Sequence, residues 1–239
     1  MTHPTERLLI TGGACGIGRS IAEEGLSRGW DVVVIDRDKA PVGQTVTADL
    51  SDPDATAAAL EEALASGPVT RLVNNVGAVF PHSLEDQTLA EVDAAHALNL
   101  RCAVQCAQAV LPGMRAAGFG RIVNMSSRAA LGKELRTAYA ASKAALIGLT
   151  RVWALELGVH GITVNAVGPG PIATDLFRRA NPDDSPRTRA IVESVPVRRI
   201  GTPQDVAHAA LFFLSERAGF VTGQTLYVCG GMTVGAAPA

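Results

Sequence analysis

An α/β fold, with one doubly wound parallel sheet flanked by helices, is what this sequence predicts, and three observations carry that reading. Short β-branched runs such as DVVVID (Asp31–Asp36) and ITVNAV (Ile162–Val167) alternate with Ala- and Leu-rich helical stretches. The runs are apolar on both faces, which suits strands covered on each side by helices. The 239 residues, 47% of them hydrophobic, suit one large domain over 1–239 with a substantial core.

The elements follow in order. RLLIT (Arg7–Thr11) reads as the first strand, followed by a glycine loop and a helix to about Arg28. DVVVID is the second strand. The pair Ser51–Asp52 caps a helix that begins at Pro53 and runs to about Ser66. RLVNN (Arg71–Asn75) is a third strand, a long helical region covers about Leu89–Met114, and RIVNM (Arg121–Met125) is the next strand. TAYAASKAAL opens a helix from Thr137 to about Leu157, and ITVNAV follows it. The stretch Asp175–Ile200, rich in Arg, Pro and Asp, reads as an irregular lid over a substrate site. Thr202, Pro203 and Asp205 then supply an N-cap, a first-turn proline and a dipole-favoured acid for a helix ending near Ser215. TLYV (Thr225–Val228) is the last strand.

Composition narrows the function classes. A net charge of -2 with 18% charged residues provides no basic field for nucleic acid. No apolar run reaches the roughly 18 residues of a membrane span. The start MTHPTERLLITGG lacks the layout of a secretory signal, so a soluble cytoplasmic protein is expected. Cys102 and Cys106 share a helix face, but no other ligands join them at zinc-like spacing. They read as buried reduced thiols, and no metal site is expected.

Two features point to chemistry. TGGACGIGRS (Thr11–Ser20) lies where a strand hands over to a helix, the place where glycines let a backbone approach a pyrophosphate at a helix N-terminus. The spacing of Gly12, Gly13, Gly16 and Gly18 also fits a plain structural turn, but an acid ends the second strand. Asp36 lies 18 residues beyond Gly18, close to the roughly 20 expected of a ribose-binding carboxylate. Such a carboxylate favours NAD over NADP, whereas the adjacent Arg37 could hold a 2′-phosphate. A strand-end turn acid is the plainer reading of Asp36. Tyr139 and Lys143 form the second feature, four residues apart on one helix face. A cation near a phenol lowers its ionisation toward the range of a general acid/base. By itself the pair equally fits an amphipathic helix with a snorkelling lysine.

Taken together, the motifs resemble the short-chain dehydrogenase/reductase family. TGGACGIG is similar to its TGxxxGxG cofactor loop, Asp49–Leu50 to its adenine-contacting pair, and NNVG (Asn74–Gly77) to its NNAG. NMSS (Asn124–Ser127) precedes YAASK (Tyr139–Lys143), and GPGPIAT (Gly168–Thr174) resembles the segment beside the nicotinamide. The resemblance covers nearly the whole chain. It implies a Rossmann fold and a catalytic tetrad of Asn99, Ser127, Tyr139 and Lys143. Tyr139 would exchange the proton, Ser127 would hold the reacting oxygen, Lys143 would lower the tyrosine pKa and bind the nicotinamide ribose, and Asn99 would hold a water. Implied cofactor contacts are Gly12, Gly16, Ile17, Gly18, Asp36, Asp49, Leu50, Asn75, Gly77, Tyr139, Lys143, Pro169, Gly170, Ile172 and Thr174, with Ile172 and Thr174 at the carboxamide edge. Ser126 competes with Ser127, because it stands at the family's usual distance of 13 before the tyrosine, whereas Ser127 keeps the usual offset from Gly120–Arg121.

The expected reaction interconverts a secondary alcohol and a ketone with NAD; the alternative is an NADPH-dependent 3-oxoacyl-carrier-protein reductase. His160 stands where carrier reductases of the family often have a stronger base. Cys229 in LYVCGG replaces a common aspartate near a strand that helps build the family's homotetramer. The lid arginines Arg178, Arg179, Arg187, Arg189, Arg198 and Arg199 suit either an anion clamp or a solvated loop beside Asp175, Asp183 and Asp184.

Overall fold

The computed structural model describes residues 6–182 and 184–235, so Asp183 lies outside the described residues. Seven strands form one parallel sheet: β1 (Arg7–Thr11), β2 (Asp31–Asp36), β3 (Gln44–Thr47), β4 (Arg71–Asn74), β5 (Gly120–Met125), β6 (Ile162–Pro169) and β7 (Thr225–Val228). Their order is β3-β2-β1-β4-β5-β6-β7, every neighbouring pair parallel. The order reverses between β1 and β4, and ligands of open α/β sheets bind outside the carboxyl ends of strands at such a switch point.

The helices are α1 (Gly16–Ser27), α2 (Pro53–Leu64), α3 (Leu89–His96), α4 (Cys102–Ala117), α5 (Thr137–Leu157), α6 (Asp175–Ala180), α7 (Pro186–Ser194) and α8 (Pro203–Leu214). Strand side chains alternate between two cores, as the period of two requires. Leu9, Val33, Leu72, Ile122 and Val164 face one layer, packed against Leu60 of α2, Val110 and Met114 of α4 and Leu157 of α5. Leu8, Ile10, Val32, Val34, Val73 and Val123 face the other, against Ile21 of α1 and Val206, Leu211 and Leu214 of α8.

Three differences from the sequence reading have physical causes. The β3 strand, QTVT, was not foreseen, because it is a polar edge strand whose only buried residue is Val46. The long helix expected over 89–114 is broken by a π-helical turn at Ala97–Arg101 between α3 and α4. The expected irregular lid contains two short helices, α6 and α7. Each begins at a hydroxyl cap, Thr174 accepting from the Phe177 amide and Ser185 from that of Thr188. Among the described residues no helix is long and apolar enough to cross a membrane.

Candidate active site

The glycine loop, Asp36, NNVG, NMSS and GPGPIAT gather at the carboxyl end of the sheet because each ends or follows a strand there, and α5 brings YAASK to them. Gly12 adopts φ +71, a left-handed conformation that favours glycine. A Cβ on Gly18 would overlap the Gly12 carbonyl oxygen, so α1 can start this close to the loop only without a side chain there. Asn75, after β4, braces the same loop, donating from Nδ2 to the carbonyls of Thr11 (3.1 Å) and Gly12 (2.8 Å). Asp36 ends β2 with Oδ2 accepting from the Ala14 amide at 2.9 Å and Oδ1 from the Asp38 amide at 3.2 Å. The carboxylate is thereby fixed beside the loop. Asp49 accepts from both the amide and the hydroxyl of Ser51, which hold its carboxyl below the usual range. Leu50 next to it is buried.

Helix α5 carries Tyr139 and Lys143, and a buried polar relay sets its position. Asn74 of β4 donates to Asn124 of β5 (2.8 Å), Asn124 to the Thr150 hydroxyl (2.9 Å), and Thr150 back to the Leu146 carbonyl (2.7 Å). Lys143 is tied at both ends. Its Nζ donates to the Met125 carbonyl at 2.7 Å, while its own carbonyl accepts from the Ser126 hydroxyl, also at 2.7 Å. Burial pulls the ammonium down to about 8.

The two candidate serines therefore have different surroundings. Ser126 is buried and its hydroxyl is used by α5. The Ser127 hydroxyl accepts from the Ala129 amide at 3.1 Å and lies close enough to the Tyr139 phenol to pull its ionisation down. Burial outweighs that effect and keeps the phenol above its ordinary value; Arg136 is the second group that lowers it. The expected lowering by Lys143 does not operate in this arrangement. Its Nζ lies 5.8 Å from the ring centroid and is engaged by Met125.

Asn99 sits in the π turn. Its Nδ2 donates to the Ala78 carbonyl (3.0 Å) and to the Ser142 hydroxyl (2.9 Å), and its Oδ1 accepts from the Ala78 amide (2.8 Å). The side chain thereby braces the loop after β4 against α5. Ser142 completes the link by donating to the Tyr139 carbonyl at 2.9 Å. A Cβ on Gly77 would come within 3.1 Å of Asn99 Oδ1 and 3.2 Å of Lys143 Nζ.

From Pro169 at the end of β6 the chain runs through Gly170 to Ile172, which is buried and bridges to Gly201. The Thr174 amide donates to the Ile172 carbonyl and its hydroxyl caps α6, so both are engaged. Sequence reasoning missed Arg136 and Ser142; the helical offset of three from Tyr139 was the available signal for both. Cys102 and Cys106 are buried free thiols with sulfurs 3.9 Å apart.

A parallel Rossmann sheet whose first turn is a glycine loop, with serine, tyrosine and lysine gathered over its carboxyl end, defines an NAD(P)-dependent oxidoreductase acting on CH–OH groups. Comparison with known proteins identifies the kind. A family model described as enoyl-(acyl carrier protein) reductase matches residues 12–233, and the chain belongs to the short-chain dehydrogenase/reductase family. It is 36% identical over 240 residues to the (2S)-[(R)-hydroxy(phenyl)methyl]succinyl-CoA dehydrogenase subunit BbsD of Thauera aromatica, covering 95% of this chain and 96% of the relative. It is 38% identical over 237 residues to L-xylulose reductase of Bos taurus, covering 94% and 95% respectively. Among solved structures, a candidate NAD(P)-dependent gluconate 5-dehydrogenase of Beutenbergia cavernae, with NADP bound at low occupancy, superposes with a TM-score of 0.90. It is 33% identical, with 96% of this chain and 97% of that one covered.

Proposed function

We propose that this chain interconverts a secondary alcohol and its ketone by hydride transfer with NAD, using Tyr139 as general acid/base. The reading is carried by the approach of the Ser127 hydroxyl to the Tyr139 phenol, one helical turn from the buried Lys143 ammonium. Ser127 already accepts a backbone amide, so its own proton is available to a substrate oxygen. In ketone reduction the Tyr139 O–H gives its proton to the carbonyl oxygen while Ser127 donates a hydrogen bond to it. In alcohol oxidation the tyrosine oxygen takes the proton back. Lys143 orients the ribose, and Asn99, which braces α5 through Ser142, holds a water that links Lys143 to solvent.

The residues fit a dinucleotide. Cys15, the N-cap of α1, offers no side-chain cap, which leaves the first amides of a 12-residue helix for a pyrophosphate held by Gly12, Gly16, Ile17 and Gly18. Asp36 would accept from the adenosine ribose, the feature that favours NAD over NADP. Asp49 and Leu50 would flank adenine, and Asn75, Gly77, Pro169, Gly170, Ile172 and Thr174 would line the path to the nicotinamide. When bound, the nicotinamide supplies the hydride chemistry. Residues 175–200 serve as the substrate lid of a single domain. We also assign a cytoplasmic homotetramer. Exposed apolar side chains on α5 (Val152, Leu155), on α8 (Phe212), on β7 (Leu226) and at Phe220 support this assembly.

The test is a panel of secondary alcohols with NAD and with NADP, followed by the absorbance of the reduced cofactor. Tyr139→Phe should lower turnover by about 10²–10⁴-fold while retaining cofactor affinity. Undiminished turnover would remove the assignment. Because the family description names the acyl carrier protein, acetoacetyl thioester with NADPH belongs in the panel as the arm for a carrier reductase.

A further inference from the structure

The cations around the reactive hydroxyls differ sharply in how they are partnered. Within the lid, Arg199 makes a paired contact with Asp205 at 2.6 and 3.0 Å, Arg198 donates to the Glu193 carbonyl, and Arg189 donates to the Asp184 carbonyl. Of these only Arg199 is neutralised by a carboxylate; Arg198 and Arg189 bond to backbone carbonyls. Among the described residues Arg128 and Arg136 have no carboxylate partner either, and they flank the reactive hydroxyls. Arg128 directly follows Ser127, and Arg136 is the N-cap of α5, one turn before Tyr139. Both are half-buried. Among the described residues neither forms an ion pair, and Arg136 donates only to the neighbouring Leu135 carbonyl.

Two more cations join them. Lys133, in the loop between Arg128 and Arg136, is held below its ordinary value by desolvation and then by Arg136, Arg128 and Arg187; Glu134 is the acid that acts in the opposite direction. Arg187 comes from the first turn of α7, so the lid contributes to the same field. The phenol also feels Arg136, which puts this field beside the reacting oxygen. Like charges gathered around partly buried guanidinium groups are unfavourable unless an anion completes them. Exposed Leu131 and Leu135 border the cluster with apolar surface.

We propose that Arg128 and Arg136, assisted by Lys133 and the lid residue Arg187, form an anion-binding subsite beside Ser127 and Tyr139. The alcohol or ketone this chain takes therefore carries an anionic group, a carboxylate, sulfonate or phosphate, close to the reacting carbon. This deepens the proposed function and rests on Tyr139 marking the reacting centre. Arginine suits the task because its planar fork pairs with such oxyanions through two parallel N–H bonds.

Acid and ester pairs separate the charge from the ketone. The probes are levulinate against methyl levulinate and acetoacetate against methyl acetoacetate, reduced by the full-length enzyme with NADH, with acetoacetyl-CoA as the phosphate-bearing arm. In the unmodified enzyme kcat/KM should favour an anionic probe over its neutral ester by on the order of tenfold or more, and the ratio should fall as salt rises. In the double variant Arg128→Gln/Arg136→Gln the ratio should approach one, and Arg136→Lys should restore part of it. Esters reduced as well as acids, or a preference that survives the double variant, would overturn the subsite and leave the oxidoreductase reading intact. If no ketone is reduced, that reading fails instead, and calorimetric titration with levulinate decides the subsite alone. Binding weakened about tenfold in the double variant supports it, and absent or unaltered binding overturns it.

Discussion

Lys143→Met probes the site through stability as well as rate. In the fold the ammonium is buried and drawn from 10.5 to about 8. A displacement of that size is about 3 kcal/mol of disfavoured charge at neutral pH. The sign follows from linkage. A lysine whose folded pKa is depressed binds fewer protons folded than unfolded. The cost is therefore fully present below about pH 8 and is relieved as pH rises toward 10.5. By about pH 9.5 roughly 2 kcal/mol of it has gone. Methionine removes the charge but leaves the Met125 carbonyl without its donor, which costs about 1–3 kcal/mol at any pH. The cofactor-free variant should therefore be at least as stable as the parent near pH 7, and should lose about 2 kcal/mol relative to it by pH 9.5. Turnover should collapse at both. Urea unfolding at fixed protein concentration, read at the two pH values, measures the difference. A parent-to-variant gap that is the same at both would show that Lys143 is not desolvated as described.

Other consequences are separable. Ser127→Ala should reduce turnover with little change in stability, whereas Ser126→Ala, which removes the buried bond from its hydroxyl to the Lys143 carbonyl, should cost about 1 kcal/mol in urea unfolding; the reverse pattern would exchange their roles. Since burial holds the Tyr139 phenol above its ordinary value, ketone reduction should stay level across neutral pH and alcohol oxidation should climb into the alkaline range. An oxidation rate indifferent to pH would argue against a tyrosine base. Gly18→Ala, whose methyl meets the Gly12 carbonyl, should weaken cofactor binding by calorimetry far more than Gly148→Ala, where a methyl meets open space. For Asp36→Ala we expect a narrower gap between NAD and NADP in kcat/KM; an unchanged gap would move cofactor choice to Arg37 or elsewhere.

Much of this was legible beforehand. Strands buried on both faces announce themselves as unbroken apolar runs, so β1 and β2 are legible with their observed limits; α5 and the partly exposed β7 are legible with theirs as well. What stayed hidden was held by long-range contacts. The π turn at Ala97–Arg101 has no compositional mark; its Asn99 amide is bound to Ala78, 21 residues away in the chain. The β3 edge strand has a single buried side chain to betray it. The two lid helices are short and begin at hydroxyl caps inside a polar segment, where periodicity has little length in which to appear.

By itself, then, the sequence determined the alternation of strand and helix, the glycine loop and the presence of a tyrosine and lysine on one helical face. Those depend on local spacing and on side-chain size. Tertiary structure decided which of two adjacent serines is available, because successive side chains at a strand end point to opposite sides and only Ser126 meets the Lys143 carbonyl. It also decided that Lys143 bonds to Met125 rather than to the phenol, and that Arg199 is paired with Asp205 while, among the described residues, Arg128 and Arg136 form no ion pair. A charge's meaning depends on what the fold packs around it, and residues distant in the chain supply that surrounding.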